Sequence, residues 1–129
     1  MGQGTKTEKT IRSIASFKDL RVWQEAIELV KEVYNLCARL PKDELYALAS
    51  QMKRAALSVA SNIAEGHSRN HRAEYRQGVY IAIGSLAELE TQLHVAKELQ
   101  LLDEESLTPT FTRIARLRAM LITLGRKLS

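Results

Sequence analysis

Cysteine and extended apolar runs are what this sequence lacks. Its 129 residues contain one cysteine, Cys37, so an intrachain disulfide and a cysteine-based zinc site are both excluded. Such sparing use of cysteine fits a reducing, cytoplasmic setting. The first residues contain no apolar segment of the kind that a signal peptide requires, and no apolar run is long enough to span a bilayer. We therefore expect a cytoplasmic protein with no membrane segment.

Aromatic residues and strand-like patterns are also scarce. Aromatic residues make up 5% of the chain, and none of them is interleaved with the basic loop between the second and third predicted helices, so stacking of single-stranded bases is not indicated. Apolar residues nevertheless make up 45% of the chain, which is enough for one continuous core in a domain of this length. Little of the sequence alternates with a period of two, so we predict no β-strand.

Apolar residues recur in steps of three and four along four segments, the pattern of amphipathic helices. After a flexible basic leader at residues 1–15, residues 16–129 are predicted to form one all-α domain. Its helices are predicted at about 19–39, 43–65, 71–99 and 104–128. Four such helices with short connections favour an antiparallel, up-down-up-down four-helix bundle.

Three helix ends have recognisable signals. Asp43 is a candidate N-cap for the second helix, and Gly66 is the residue type expected just past the end of that helix. Two starts are open for the fourth helix, because Asp103 and the pair Thr108-Pro109 both suit a helix N-terminus.

Small polar side chains share one face of the second and third predicted helices, because their spacing follows the helical period. We predict that this structural polar layer consists of Ser58, Ser61, Asn62, Glu65, Ser85 and Glu88. Buried polar groups are nearly always hydrogen-bonded to one another, and such a layer fixes the register of packed helices. We therefore predict that the layer joins helices, or one subunit to the next, and is not an active site.

Patterns for catalysis or metal binding are weak. A di-iron bundle requires two Glu-x-x-His pairs, and the sequence contains none. A hydrolase or metal enzyme built around Ser61, Glu65 and His67 would lack an oxyanion donor and a strained nucleophile turn. The sequence therefore favours a protein that is not an enzyme, with no catalytic residue, no metal and no cofactor.

Basic residues make a stronger functional case. The chain carries 19 basic and 15 acidic residues, for a net charge of +4 and an isoelectric point near 9.4. Clustered arginines and lysines bind phosphates without reading base sequence. The candidate nucleic-acid-binding residues are Lys53, Arg54, Arg69, Arg72, Arg76, Arg113, Arg116 and Arg118, with Arg126 and Lys127 near the end of the chain. A solvated helix face is the alternative interpretation of the same charges.

Three segments resemble one known family. They read FKDLRVWQEAIELVKEVY, LPKDELYALASQMKRAALSVASNIAEG and IAIGSLAELETQL. From Phe17 to about Leu128 the chain is similar to the four-helix-bundle proteins encoded in intervening sequences of bacterial 23S ribosomal RNA genes. The resemblance implies a ring-shaped homopentamer. It also implies a distant relationship to the accessory protein of diversity-generating retroelements, which binds nucleic acid and a reverse transcriptase.

The family's marked residues carry over onto matching positions of this chain. They are Asp19, Leu20, Trp23, Gln51, Arg54, Ser58, Asn62, Ile63, Ala64, Glu65, Gly66, Arg69, Gly84, Ser85 and Glu88. Together with the basic clusters, they lead to a first hypothesis, a non-enzymatic oligomeric scaffold that binds RNA or DNA phosphates. A protein-interaction adaptor with no nucleic-acid role and a purely structural polar layer is the alternative.

Overall fold

The computed structural model describes residues 16–129, and the predicted leader at residues 1–15 lies outside this described part. Two short 3-10 turns, Phe17–Asp19 and Lys42–Glu44, precede the first two helices. The four α-helices are α1 (Arg21–Cys37), α2 (Leu48–Ser68), α3 (Arg72–Glu98) and α4 (Glu104–Lys127). Residues 16–129 contain no strand, so the prediction of an all-α protein with four helices is confirmed. No helix in this part combines the length and the apolar character needed to cross a membrane.

One apolar core lies between the helices. Helices α1 and α3 each pack against both α2 and α4, so every helix has two neighbours. Each helix contributes fully buried side chains to this core, among them Leu29, Met52, Leu86 and Leu117. Burying an aliphatic side chain of this size stabilises a fold by about 1.5–3 kcal/mol. Burial of the apolar face of each helix thus determines which face turns outward and carries polar groups.

The start of α2 differs from the prediction. The chain after Pro41 first makes a tight 3-10 turn, in which the Leu45 amide donates to the Lys42 carbonyl at 3.1 Å. Asp43 lies inside that turn, and Ala47 occupies the N-cap position of α2 without a side-chain cap. The prediction that Asp43 is the N-cap of the second helix is therefore wrong, because the residues after Pro41 form a 3-10 turn and α2 begins only after it.

The end of α2 also differs, because Gly66 lies within the helix and not after it. A Cβ at Gly66 would lie 3.1 Å from the Glu74 carbonyl oxygen and 3.1 Å from the Cα of Gly78. This glycine therefore permits close contact between the backbones of α2 and α3. Asn70 takes the left-handed conformation after the helix, with φ of 59°.

Helix α4 begins at the earlier of its two candidate starts. The Asp103 carboxylate accepts a hydrogen bond from the Ser106 amide at 2.7 Å and caps the helix. Hydrogen bonding to Ser106 lowers the pKa of Asp103, so the cap is ionised at neutral pH. Thr108 and Pro109 lie inside α4, where the Thr108 hydroxyl donates to the Glu104 carbonyl at 2.8 Å.

Candidate nucleic-acid interface

Three members of the predicted polar layer meet between α2 and α3. The hydroxyl oxygens of Ser58 and Ser85 lie 2.8 Å apart, which is hydrogen-bonding distance. The Asn62 side-chain amide donates to the Ser58 carbonyl at 2.8 Å and to the Ser58 hydroxyl at 3.0 Å. Ser85 is buried, while Ser58 and Asn62 are half-buried. The bond between Ser58 and Ser85 links α2 to α3 and helps to fix their register, while the Asn62 bonds stay within α2 and hold the Ser58 hydroxyl in place.

The other three members of the predicted layer point to solvent. Ser61, Glu65 and Glu88 are exposed. The Glu65 carboxylate lies 3.4 Å from the Arg69 guanidinium, and Glu88 accepts a hydrogen bond from Gln92 at 3.3 Å. The structure therefore brings together Ser58, Ser85 and Asn62. It leaves Ser61 and both carboxylates outside that network.

A groove of about 270 Å³ runs beside the two contacting glycines. Its lining residues are Asn62, Glu65, Gly66, Arg69, Glu74, Gln77, Gly78 and Ile81. Arg69 lies 3.4 Å from Glu65 and 4.0 Å from Glu74, so both carboxylates of the groove face a cation. Exposed ion pairs of this kind contribute less than about 1 kcal/mol. With two carboxylates and one guanidinium, the lining of the groove carries a net charge of −1, so the groove itself does not attract an anion.

His67 packs against Tyr75. The two rings meet edge to face, with their centroids 5.2 Å apart. Burial raises the pKa of Tyr75 to about 12 and lowers the pKa of His67. Both side chains are therefore uncharged at neutral pH and add nothing to the nearby positive charge. Within residues 16–129, no three histidine, cysteine or carboxylate side chains come together in a way that would hold a metal ion.

Two of the candidate basic residues in α4 are engaged inside the fold. Arg113 donates to Glu32 at 2.7 Å and to Glu25 at 3.2 Å, and its side chain is 21% exposed. The hydrogen bond with Glu32 raises the pKa of Arg113. Arg118 donates to Glu90 at 2.8 Å. Neither guanidinium is presented to a ligand as an unpaired charge.

The remaining scattered candidates lie singly on the surface. Arg116 is more exposed than Arg113 and approaches Glu25 at 3.9 Å. Lys53 lies over the ring of Tyr34, with its Nζ 4.8 Å from the ring centroid. Arg54 is exposed on α2.

Positive charge from two helices comes together where the start of α3 meets the end of α4. Arg72 donates to the Lys127 carbonyl, and Arg76 donates to the Ser129 hydroxyl at 3.1 Å. These contacts bring exposed cations of α3 and α4 near one another, and Arg69 lies just before α3. We call these exposed side chains the basic cluster: Arg69, Arg72, Arg76, Arg126 and Lys127. The two halves of the cluster are far apart in the sequence, as the separation of 55 residues between Arg72 and Lys127 shows.

An aromatic residue accompanies this cluster. The Arg76 guanidinium lies over the ring of Tyr80, 5.3 Å from the ring centroid, and Tyr80 is 42% exposed. The prediction that no aromatic residue is interleaved with the basic loop concerns the loop alone, whereas Tyr80 lies further along, on α3. A local signal was available, because residues four apart are neighbours on a helix surface.

These features define a class of protein. It is an all-α protein of four helices whose second and third helices are joined by a small polar network and a glycine contact. The sequence model of the family described as 23S rRNA-intervening sequence protein matches residues 18–123. The chain therefore belongs to this family, as its resemblance predicts. No curated protein is similar enough to the chain to be matched to it.

Proposed function

We propose that this chain is a non-enzymatic scaffold that binds the phosphates of RNA or DNA through the basic cluster. The observation that carries the proposal is the joining of Arg72 and Arg76 to the end of α4, which gathers cations from two helices at one place. The scaffold we propose is a ring-shaped homopentamer of antiparallel, up-down-up-down bundles, in which the cluster is repeated by every subunit.

Phosphate binding fits the chemistry of the cluster. Arginine forms two parallel hydrogen bonds to a phosphate, and each neutralised phosphate releases counterions into solution. Among residues 16–129, Arg69 is the one member that lies near two carboxylates, while Arg72 and Arg76 are bonded to a carbonyl and a hydroxyl, which carry no charge. Their positive charge is therefore available to an anionic ligand.

Neutralising the cluster tests this function. We expect the triple variant Arg69→Gln, Arg72→Gln and Arg76→Gln to reduce the slope of log affinity against log salt by about 2 to 3 for duplex DNA, since each lost phosphate contact removes about 0.9. The measurement is fluorescence anisotropy with duplex DNA and structured RNA across a salt series, using protein freed of nucleic acid.

A matched control separates the cluster from net charge. The variant Lys42→Gln, Arg54→Gln and Arg116→Gln removes the same charge from exposed positions outside the cluster. We expect it to keep the wild-type slope within about 1. Equal loss in both variants would place binding elsewhere on the surface. No binding by the wild type at low salt would refute the nucleic-acid function and favour the adaptor.

Self-assembly has its own support on the outer surface of α2 and α3. Leu57, Ile81 and Val95 are each more than 40% exposed. Gly84 is exposed in the middle of α3, and a Cβ built there meets nothing within 4 Å. Glycine inside a helix costs about 1 kcal/mol relative to alanine. No contact in the described part of the subunit requires this glycine, so we attribute it to close contact with another subunit.

Enlarging Gly84 tests the assembly. We expect Gly84→Gln to convert the oligomer to smaller species while the helical circular dichroism stays unchanged, because the new side chain meets open space within the subunit. Light scattering coupled to size-exclusion chromatography gives the mass. The control is Ala119→Gln, an exposed position on α4. An unchanged mass for Gly84→Gln would remove this surface from the interface.

The alternative function, a protein-interaction adaptor, is favoured by the same exposed apolar side chains. A reverse transcriptase is the partner that the distant resemblance suggests. Under this alternative, Gly84→Gln abolishes partner binding while the protein has no affinity for nucleic acid at any salt concentration.

A further inference from the structure

We propose that Arg76 and Tyr80 form a stacking site for an unpaired base, so that the ligand class of the basic cluster is single-stranded nucleic acid. This inference rests on the proposed function and specifies its ligand. It predicts discrimination between single strands and duplexes, which phosphate binding alone does not provide.

The geometry places stacking and phosphate-binding groups in one line. Arg72, Arg76 and Tyr80 are each four residues apart, so they lie along one face of α3 at intervals of about 6 Å. Lys127 adjoins this line through its carbonyl bond to Arg72. A strand that follows the face of α3 thus meets cationic groups first and an aromatic group next.

The Tyr80 ring is both supported and accessible. Its hydroxyl end lies close to Gly125 of α4, since a Cβ built on that glycine would be 2.9 Å from the ring Cζ and 3.0 Å from the hydroxyl oxygen. The ring remains 42% exposed, although it is packed against α4 on one side. Gly125 thus leaves room for the aromatic group at the edge of the basic cluster.

Arg76 and Tyr80 bring two planar groups together on α3. The guanidinium carbon lies 5.3 Å from the ring centroid, within the range of a cation–π interaction. A nucleobase is itself planar, and it stacks on tyrosine rings and on arginine guanidinium planes alike. In a duplex both faces of each base are already covered by neighbouring pairs, so only an unpaired base gains this contact.

A second exposed tyrosine shows why the surroundings matter. Tyr34 is also 42% exposed and also has a cation, Lys53, over its ring at 4.8 Å. Such a pair is common on protein surfaces. Tyr34 lies outside the basic cluster, and Tyr80 lies beside it. Tyr34 is therefore the matched control for Tyr80.

The test compares single strands with duplexes. Binding of a 12-nucleotide oligo-uridine and of a 12-base-pair duplex is measured by anisotropy for the wild type, Tyr80→Leu, Tyr80→Phe and Tyr34→Leu. We expect Tyr80→Leu to weaken oligo-uridine binding about tenfold, with an unchanged salt slope, because stacking carries no net charge. Tyr80→Phe and Tyr34→Leu should each stay within about twofold of the wild type, and duplex binding should be unaffected by all three.

A measurement on otherwise unaltered protein covers the case in which Tyr80→Leu does not fold. Protein labelled with 3-fluorotyrosine should show a fluorine resonance that shifts with oligo-uridine and is missing from the Tyr80→Phe spectrum. Equal weakening of single strands and duplexes, or no shift of that resonance, would overturn the stacking site alone. If the wild-type protein binds neither oligo-uridine nor the duplex, the proposed function itself is overturned.

Discussion

Gly78→Ala is expected to destabilise the protein by about 2 kcal/mol, because one methyl group cannot fit between α2 and α3. A Cβ at Gly78 would lie 2.5 Å from the backbone carbonyl oxygen of Asn62 and 3.0 Å from the Cα of Gly66. Both of these atoms belong to a helix backbone, which cannot turn aside as a side chain does. The two helices must separate, and the Ser58–Ser85 hydrogen bond that spans them is then stretched.

The control is the same substitution six residues along the same helix. Gly84→Ala places its methyl group in open space within the subunit and gains about 1 kcal/mol of helix propensity. Urea unfolding of both variants, at a protein concentration low enough to give monomer, should therefore show midpoints displaced in opposite directions. A stabilised Gly78→Ala variant would mean that the contact between α2 and α3 is looser than the structure describes.

Arg113→Met is expected to cost about 2 kcal/mol, between the values typical of exposed and fully buried ion pairs. The guanidinium bridges Glu25 and Glu32 at 3.2 and 2.7 Å, and these carboxylate side chains are 26% and 27% exposed. The second carboxylate oxygen of Glu32 is buried and already has no hydrogen-bond partner among the described residues. Removing the arginine leaves Glu32 as an uncompensated charge in a poorly solvated site.

A second substitution isolates that charge. Arg113→Met combined with Glu32→Met replaces the ion pair with apolar side chains, and we expect it to recover at least half of the lost free energy of unfolding, since breaking a pair costs more than removing it. Urea unfolding of the wild type, of Arg113→Met, of Glu32→Met and of the double variant gives a double-mutant cycle, which measures the interaction between the two residues. A double variant as unstable as the sum of the singles would show that Arg113 and Glu32 act independently. Nucleic-acid binding by folded Arg113→Met should keep its salt slope.

The four helices follow from the sequence because the period of three to four residues is a local property. Helix ends depend on distant contacts as well. Gly66 suits a helix terminus as well as it suits a close helix crossing, and only the position of Gly78 on α3 decides between the two. At the other end of α2, the tight turn after Pro41 replaces a helical start that Asp43 would otherwise provide.

The candidate site follows from the sequence only in part, for a similar reason. Spacing puts Ser58 and Glu65 on one helix face, but such a face is wide enough to reach from the contact with α3 to solvent, and Glu65 lies at its solvent edge. The contacts of the basic residues are likewise not visible in the local sequence. Arg113 has its closest carboxylate partner 81 residues away, and Arg72 has its carbonyl partner 55 residues away. These contacts withdraw Arg113 from the surface and bring Arg72 next to the cations at the end of α4.

The side-chain charges at the two ends of α4 are of opposite sign, so this helix carries a dipole of side-chain charges. Asp103, Glu104 and Glu105 stand at its beginning, and Arg126 and Lys127 stand at its end, about 36 Å away at the rise of an α-helix. The field of a polyanion exerts a torque on such a dipole and turns the positive end toward it before contact. The rotational search that normally slows association is then shortened, and the gain disappears once the Debye length falls well below the size of the subunit.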